Sequence, residues 1–106
     1  MRRYTVRLTP EAQDDLERLF DFVLERELSS HTGQPERAEQ ALEAIRDGLR
    51  LLERFPFTCR KAGASPFLRE LLIPYGRSGY VALFEIEDAA TVTVAAVRHQ
   101  RESDFH

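Results

Sequence analysis

The sequence predicts one α+β domain with the order β-α-α-β-β-β: a strand, an antiparallel helical hairpin packed on one face of the sheet, and a three-stranded antiparallel meander. The prediction comes from period-two alternation near the N-terminus, two amphipathic helical stretches joined by a short loop, and three strand-like runs with connections too short for parallel crossovers. At 106 residues, 42% of them hydrophobic and 31% charged, residues 1–106 fit a single core.

Residues 3–8 alternate, with Tyr4, Val6 and Leu8 on one face and Arg3, Thr5 and Arg7 on the other, the signature of a half-buried strand. Thr9-Pro10-Glu11 follows: a side-chain cap, a proline at the first helical position and an acid in the first turn. In the helix it starts, Ala12, Leu16, Leu19, Phe20, Val23 and Leu28 recur at three- and four-residue steps, and Asp14, Asp15, Glu17, Asp21 and Glu25 make the outer face acidic. Ser29 to Gln34 breaks this helix. Pro35 restarts a second one, with Ala38, Ala41, Leu42, Ile45, Leu49 and Leu52 as its apolar stripe.

Phe55-Pro56 stops the second helix, and Pro56 to Pro66 reads as a polar loop. Strands are expected at 67–73, 80–86 and 91–98. The last of these is apolar on both faces over Val92–Val97, which suits a central position.

Composition narrows the function. A formal net charge of −3 lacks the overall basic excess of a nucleic-acid binder, so direct nucleic-acid binding is not expected. No apolar run is long enough to span a membrane, and the alternating N-terminus is unlike a signal peptide, so a cytoplasmic location is expected. The single cysteine, Cys59, reads as a small loop residue. No glycine-rich phosphate loop, zinc-ligand spacing or nucleophile elbow occurs, and neither cofactor nor metal is expected.

The tail from Arg98 to His106 gathers Arg98, His99, Arg101 and His106, side chains able to clamp a phosphate or move a proton near neutral pH. Its bland alternative is a solvated end in which Glu102 and Asp104 balance the arginines. Arg69 shares a strand face with Phe67, Leu71 and Ile73, as either an edge-strand snorkel or a functional cation on a rigid element. His31 lies in a polar loop and reads as exposed, and Tyr75 and Tyr80 read as packing aromatics.

Leu68-Arg69-Glu70, Gly79-Tyr80, Leu83-Phe84-Glu85-Ile86 and above all Ala95 to His106 resemble the ParE/RelE toxin superfamily over essentially the whole chain. The resemblance implies the toxin half of a type II toxin–antitoxin (plasmid stabilisation) pair, neutralised by a cognate antitoxin. RelE-like members cleave messenger RNA on the ribosome, and ParE-like members poison DNA gyrase without known catalytic groups. RelE-like ribonucleases carry an arginine just after the glycine-aromatic start of the middle meander strand, where this chain has Val81.

That departure, the negative net charge and the long helical hairpin favour the ParE-like branch: a non-enzymatic toxin that inhibits DNA gyrase by protein binding. Arg98, His99, Arg101, Phe105 and His106 are the expected target-binding residues. Arg2, Arg3, Arg7, Arg60, Lys61, Arg69 and Arg77 are the expected cations for an acidic antitoxin. In the RelE-type alternative the ribonuclease residues would be Arg69, Arg98, His99, Arg101 and His106. A third alternative is a degenerate toxin that only binds antitoxin.

Overall fold

The computed structural model describes residues 3–103. Strand β1 (Thr5–Leu8) leads into helix α1 (Pro10–Leu28), and helix α2 (Glu36–Arg50) returns antiparallel to it. Short 3₁₀ turns at Leu51–Glu53 and Pro56–Thr58 precede β2 (Arg60–Lys61), β3 (Leu68–Tyr75), β4 (Ser78–Ile86), β5 (Thr91–His99) and a single terminal turn, α3 (Gln100–Ser103). The five strands form one sheet in the order β1-β5-β4-β3-β2. The predicted meander is β3-β4-β5, and β5 lies inside the sheet as its two apolar faces require.

Two features of the sheet were not predicted. β1 pairs parallel with β5, Thr5 beside Thr91 and Leu8 beside Val94. The loop after Pro56 also contributes an edge strand, β2, antiparallel to β3 through Arg60–Glu70 and Lys61–Arg69.

Thr9 caps α1 as its sequence requires: its side-chain oxygen accepts the Ala12 N–H at 3.1 Å. Both helices cover one face of the sheet, α1 across β5 and α2 across β3. Ala12, Leu19 and Val23 of α1 and Ala38, Ala41, Ile45 and Leu49 of α2 meet Leu71, Ile73, Ala82, Phe84, Val92, Val94 and Val97 in one core. Fully burying residues of this size contributes about 1.5–3 kcal/mol each. Leu28, assigned to the α1 stripe by periodicity, is exposed where the helix ends.

Glu27 is buried instead, 7% exposed at the hairpin turn. It accepts the Gln34 N–H at 3.0 Å. Arg26 and Arg37 stand 3.4 and 3.7 Å from its oxygens. That hydrogen bond, followed by the two guanidinium groups, holds its carboxyl below the usual range, against the opposing effect of burial. The turn closes so tightly that a side chain at Gly33 would start 1.7 Å from the Glu27 carbonyl oxygen.

Candidate functional site

The register of β4 and β5 decides where the tail residues point. Tyr80 pairs with His99, Val81 with Arg98 and Leu83 with Ala96, but Phe84 pairs with Val94, so Ala95 is an extra residue in β5. The bulge reverses the alternation along β5. Val92 and Val94 face the helices before it, and Val97 and His99 face that way after it. Arg98 therefore emerges on the open side of the sheet, directly across from Val81.

That open side forms a shallow hollow of about 310 Å3 lined by Leu68, Glu70, Val81, Leu83, Ala96 and Arg98. Val81 is buried there, outside the helix-facing core.

His99 occupies the other side of the same strand. Its Nδ1 accepts the Arg101 N–H at 3.1 Å, which leaves the proton of the neutral ring on Nε2, 3.0 Å from the Ser78 hydroxyl. Tyr80 packs edge-on against the ring at 5.6 Å. Burial, with Tyr75 adding to it and Arg26 opposing, pushes the Tyr80 phenol above its ordinary value.

His99 and Tyr80 line a groove of about 1030 Å3 between α1 and the hairpin of β3 and β4. Leu19, Phe22 and Val23 line it from α1, and Tyr75, Gly76 and Gly79 from the hairpin. The hairpin turns through Gly76 and Arg77, and Gly76 has φ +61°, a left-handed conformation natural to glycine. Phe22 is 59% exposed at the lip. Ser78, Arg18, Arg26, Arg37, Arg77 and Arg101 also line it, and among the described residues no carboxylate does. On the far side of Phe22, Asp14, Glu17, Asp21 and Glu25 form an acidic strip, so α1 separates two surfaces of opposite sign.

The cations expected to act together are dispersed. Arg3 and Arg7 lie at the β1 edge, and Arg60 and Lys61 lie at the β2 edge. Four strand spacings separate those edges, about 19 Å. Arg60 pairs with Glu70 at 3.0 Å. Arg69 donates to the carbonyls of Pro66, Phe57 and Cys59 at 2.8, 3.0 and 2.7 Å, with its guanidinium 5.3 Å from the Phe57 ring centre. Its site is the interior of the 57–66 loop, which explains a charge on an apolar strand face.

Arg77 and Arg101 do come together, on the groove. Arg98 is separated from His99 and Arg101 by the sheet. Arg2, Phe105 and His106 lie outside the described residues.

Arg18, Arg26 and Arg37 were missed because on a helix each reads as an ordinary surface cation; only the packing of α1 against the hairpin collects them. Cys59 packs against the core, and burial raises its thiol despite the opposing Arg69, so it is a poor nucleophile at neutral pH. Among the described residues, no cluster of His, Cys, Asp or Glu could hold a metal ion, and no helix is long and apolar enough to cross a membrane.

Comparison with known proteins then gives the lineage. Residues 6–104 match the family model described as "ParE toxin of type II toxin-antitoxin system, parDE". The chain belongs to the ParE toxin family. The match takes in both long helices, β2 to β5 with the bulge, and all of β1 but its first residue. A solved structure from P. aeruginosa, described as a chromosomal ParDE TA system, superposes with a TM-score of 0.69 at 18% identity, over 91% of this chain and 95% of that one. At that identity the similarity is one of fold. No curated protein matches the chain.

Proposed function

We propose that this ParE-family chain acts in the cytoplasm by protein binding, with DNA gyrase as its target, and that a cognate antitoxin neutralises it within a plasmid-stabilisation pair. The observation that carries the reading is the division of Arg98 from His99. Cleaving a phosphodiester by acid–base chemistry needs a proton-transfer group and a cation within reach of one phosphate. Here Arg98 stands beside an apolar Val81 on the open face, while both ring nitrogens of His99 are engaged on the helical side. A net charge of −3 likewise favours a protein target over ribosomal RNA.

The test adds the purified chain to gyrase with supercoiled DNA and, separately, to ribosomes programmed with message. Trapped gyrase–DNA cleavage complexes and intact message are expected. A-site cleavage of the message, or a gyrase reaction that proceeds as if the chain were absent, overturns the proposal.

A further inference from the structure

We propose that Phe55, Phe57 and Phe67, beside the β2 edge, form the surface that grips the gyrase target, and that the target meets them with a large apolar side chain flanked by carboxylates. This rests on the reading of gyrase as the target, and adds which surface meets it and by what chemistry. The three rings are 47%, 48% and 49% exposed. Phe57 and Phe67 meet edge to face, their centres 6.3 Å apart. Leu51, whose carbonyl accepts the Phe55 N–H at 2.9 Å, is also exposed. None of these four side chains belongs to the core or to the groove beside α1.

The rings stand on an anchored backbone. Pro56, between the first two, is fully buried. The Arg69 guanidinium lies 5.3 Å from the Phe57 ring centre and donates to the Phe57 carbonyl. Phe67 is held through both of its backbone groups, its N–H donating to Ser65 Oγ at 3.1 Å and its carbonyl accepting the Ile86 N–H at 2.8 Å. Half-exposed rings on a fixed backbone lose little freedom when a partner covers them, and aromatic side chains are enriched where protein interfaces are strongest.

Charge selects the partner. Asp47 pairs with Arg50 and Glu70 with Arg60, but Arg54 and Lys61 make no ion pair among the described residues. Arg54 precedes Phe55, and Lys61 is paired in register with Arg69, so its side chain leaves the sheet on the Arg69 face. A partner with carboxylates around an apolar side chain satisfies the rings and both cations. A second copy meeting the rings symmetrically sets Arg54 and Lys61 against their own kind. A single strand of DNA stacks on such rings too, but two unpaired cations in a chain of net charge −3 hold phosphates weakly.

The test measures the affinity of purified gyrase, without DNA, for the full chain and its variants. Phe57→Ala with Phe67→Ala, and separately Arg54→Glu with Lys61→Glu, should each weaken binding about tenfold or more. Leu28→Ala with Leu72→Ala, a comparable loss of exposed apolar surface elsewhere, should alter it less than about threefold. Amide exchange of the wild-type complex should show new protection over 51–68, a readout that needs no variant.

Ring and charge variants with wild-type thermal midpoints that bind gyrase as the wild type does, or protection confined to other elements, overturn the ring surface while leaving the gyrase reading intact. A wild-type chain that does not bind gyrase overturns both. Ring variants that lose the antitoxin or a self-associated dimer, with gyrase binding unchanged, overturn the assignment to the target. A single-stranded DNA oligonucleotide that binds the wild type and not the ring variant overturns the assignment to a protein partner.

Discussion

Asp15 Oδ2 accepts the backbone N–H of Val97 at 2.9 Å, joining α1 to the outer edge of β5. β1 ends at Leu8, opposite Val94, and beyond it β5 has no strand on that side among the described residues. Side chains of the α1 start continue the pairing, with the Thr9 hydroxyl donating to the Ala95 carbonyl at 3.2 Å and Asp15 receiving Val97. Removing a buried hydrogen-bond acceptor generally costs about 1–3 kcal/mol. Asp15→Ala is therefore expected to destabilise the fold by that amount and Asp15→Asn, which keeps an acceptor, by less. Urea midpoints check this, and equal midpoints for the Ala variant and the wild type would count against the bond. The exposed Arg18 partner of Asp15 contributes little to the difference.

Glu27 should make stability depend on pH in one direction. Its folded-state pKa is depressed, so its contribution is fully present above the unfolded carboxylate range and is lost as pH falls through the folded value. The wild type is expected to be more stable than Glu27→Gln at neutral pH, with the gap closing as pH falls below the ordinary carboxylate range. Chemical denaturation at several pH values reads the gap; a constant gap would contradict the assignment.

Arg69 is expected to act on stability through the loop it fills. Arg69→Met loses its hydrogen bonds to Pro66, Phe57 and Cys59, and a cost of about 1.5–3 kcal/mol follows from hydrogen bonds to a charged group. Arg69→Lys should recover only part, since an ammonium cannot reproduce the planar fork. Faster amide exchange confined to 57–68 would locate the effect.

Val81→Arg would place two cations directly opposite each other in adjacent strands, on a position 5% exposed. Like charges in that relation are destabilising, and burying one adds to it, so a loss of about 1–3 kcal/mol is expected. No ribosome-dependent cleavage should appear, because His99 remains on the opposite side. A thermal melt and a message-cleavage assay measure the two outcomes.

The elements with strong local causes were legible in the sequence. Thr9-Pro10-Glu11 marked the α1 start and the apolar run Val92–Val97 an interior strand, whereas α2 ends at Arg50 and passes into a 3₁₀ turn at Leu51–Glu53 before the expected stop at Phe55-Pro56. β2 was illegible because a two-residue strand has no periodicity and exists only through its pairing with Glu70 and Arg69. The parallel partner of β1 was illegible because residues 5–8 carry no record of residues 91–94.

For the site, one residue made the difference. Without Ala95 as an extra residue, strict alternation would put Arg98 on the same side as Val94 and turn His99 outward. The bulge is set by three-dimensional pairing, which no spacing in the tail reveals. Arg26 and Arg37 likewise acquire their setting only when Glu27 is buried between them.

The parallel β1–β5 pair bears on the order of events during synthesis. Residues 5–8 leave the ribosome well before 91–94, their one strand partner among the described residues. Until that segment emerges, β1 has no ladder to join and the apolar stripes of α1 lack the β5 residues they cover. Such long-range closure is slow compared with forming the helical hairpin. The nascent chain should thus pass through a state in which the helices are made and the sheet is open at its first edge, with no finished toxin surface until residues 91–94 have joined it.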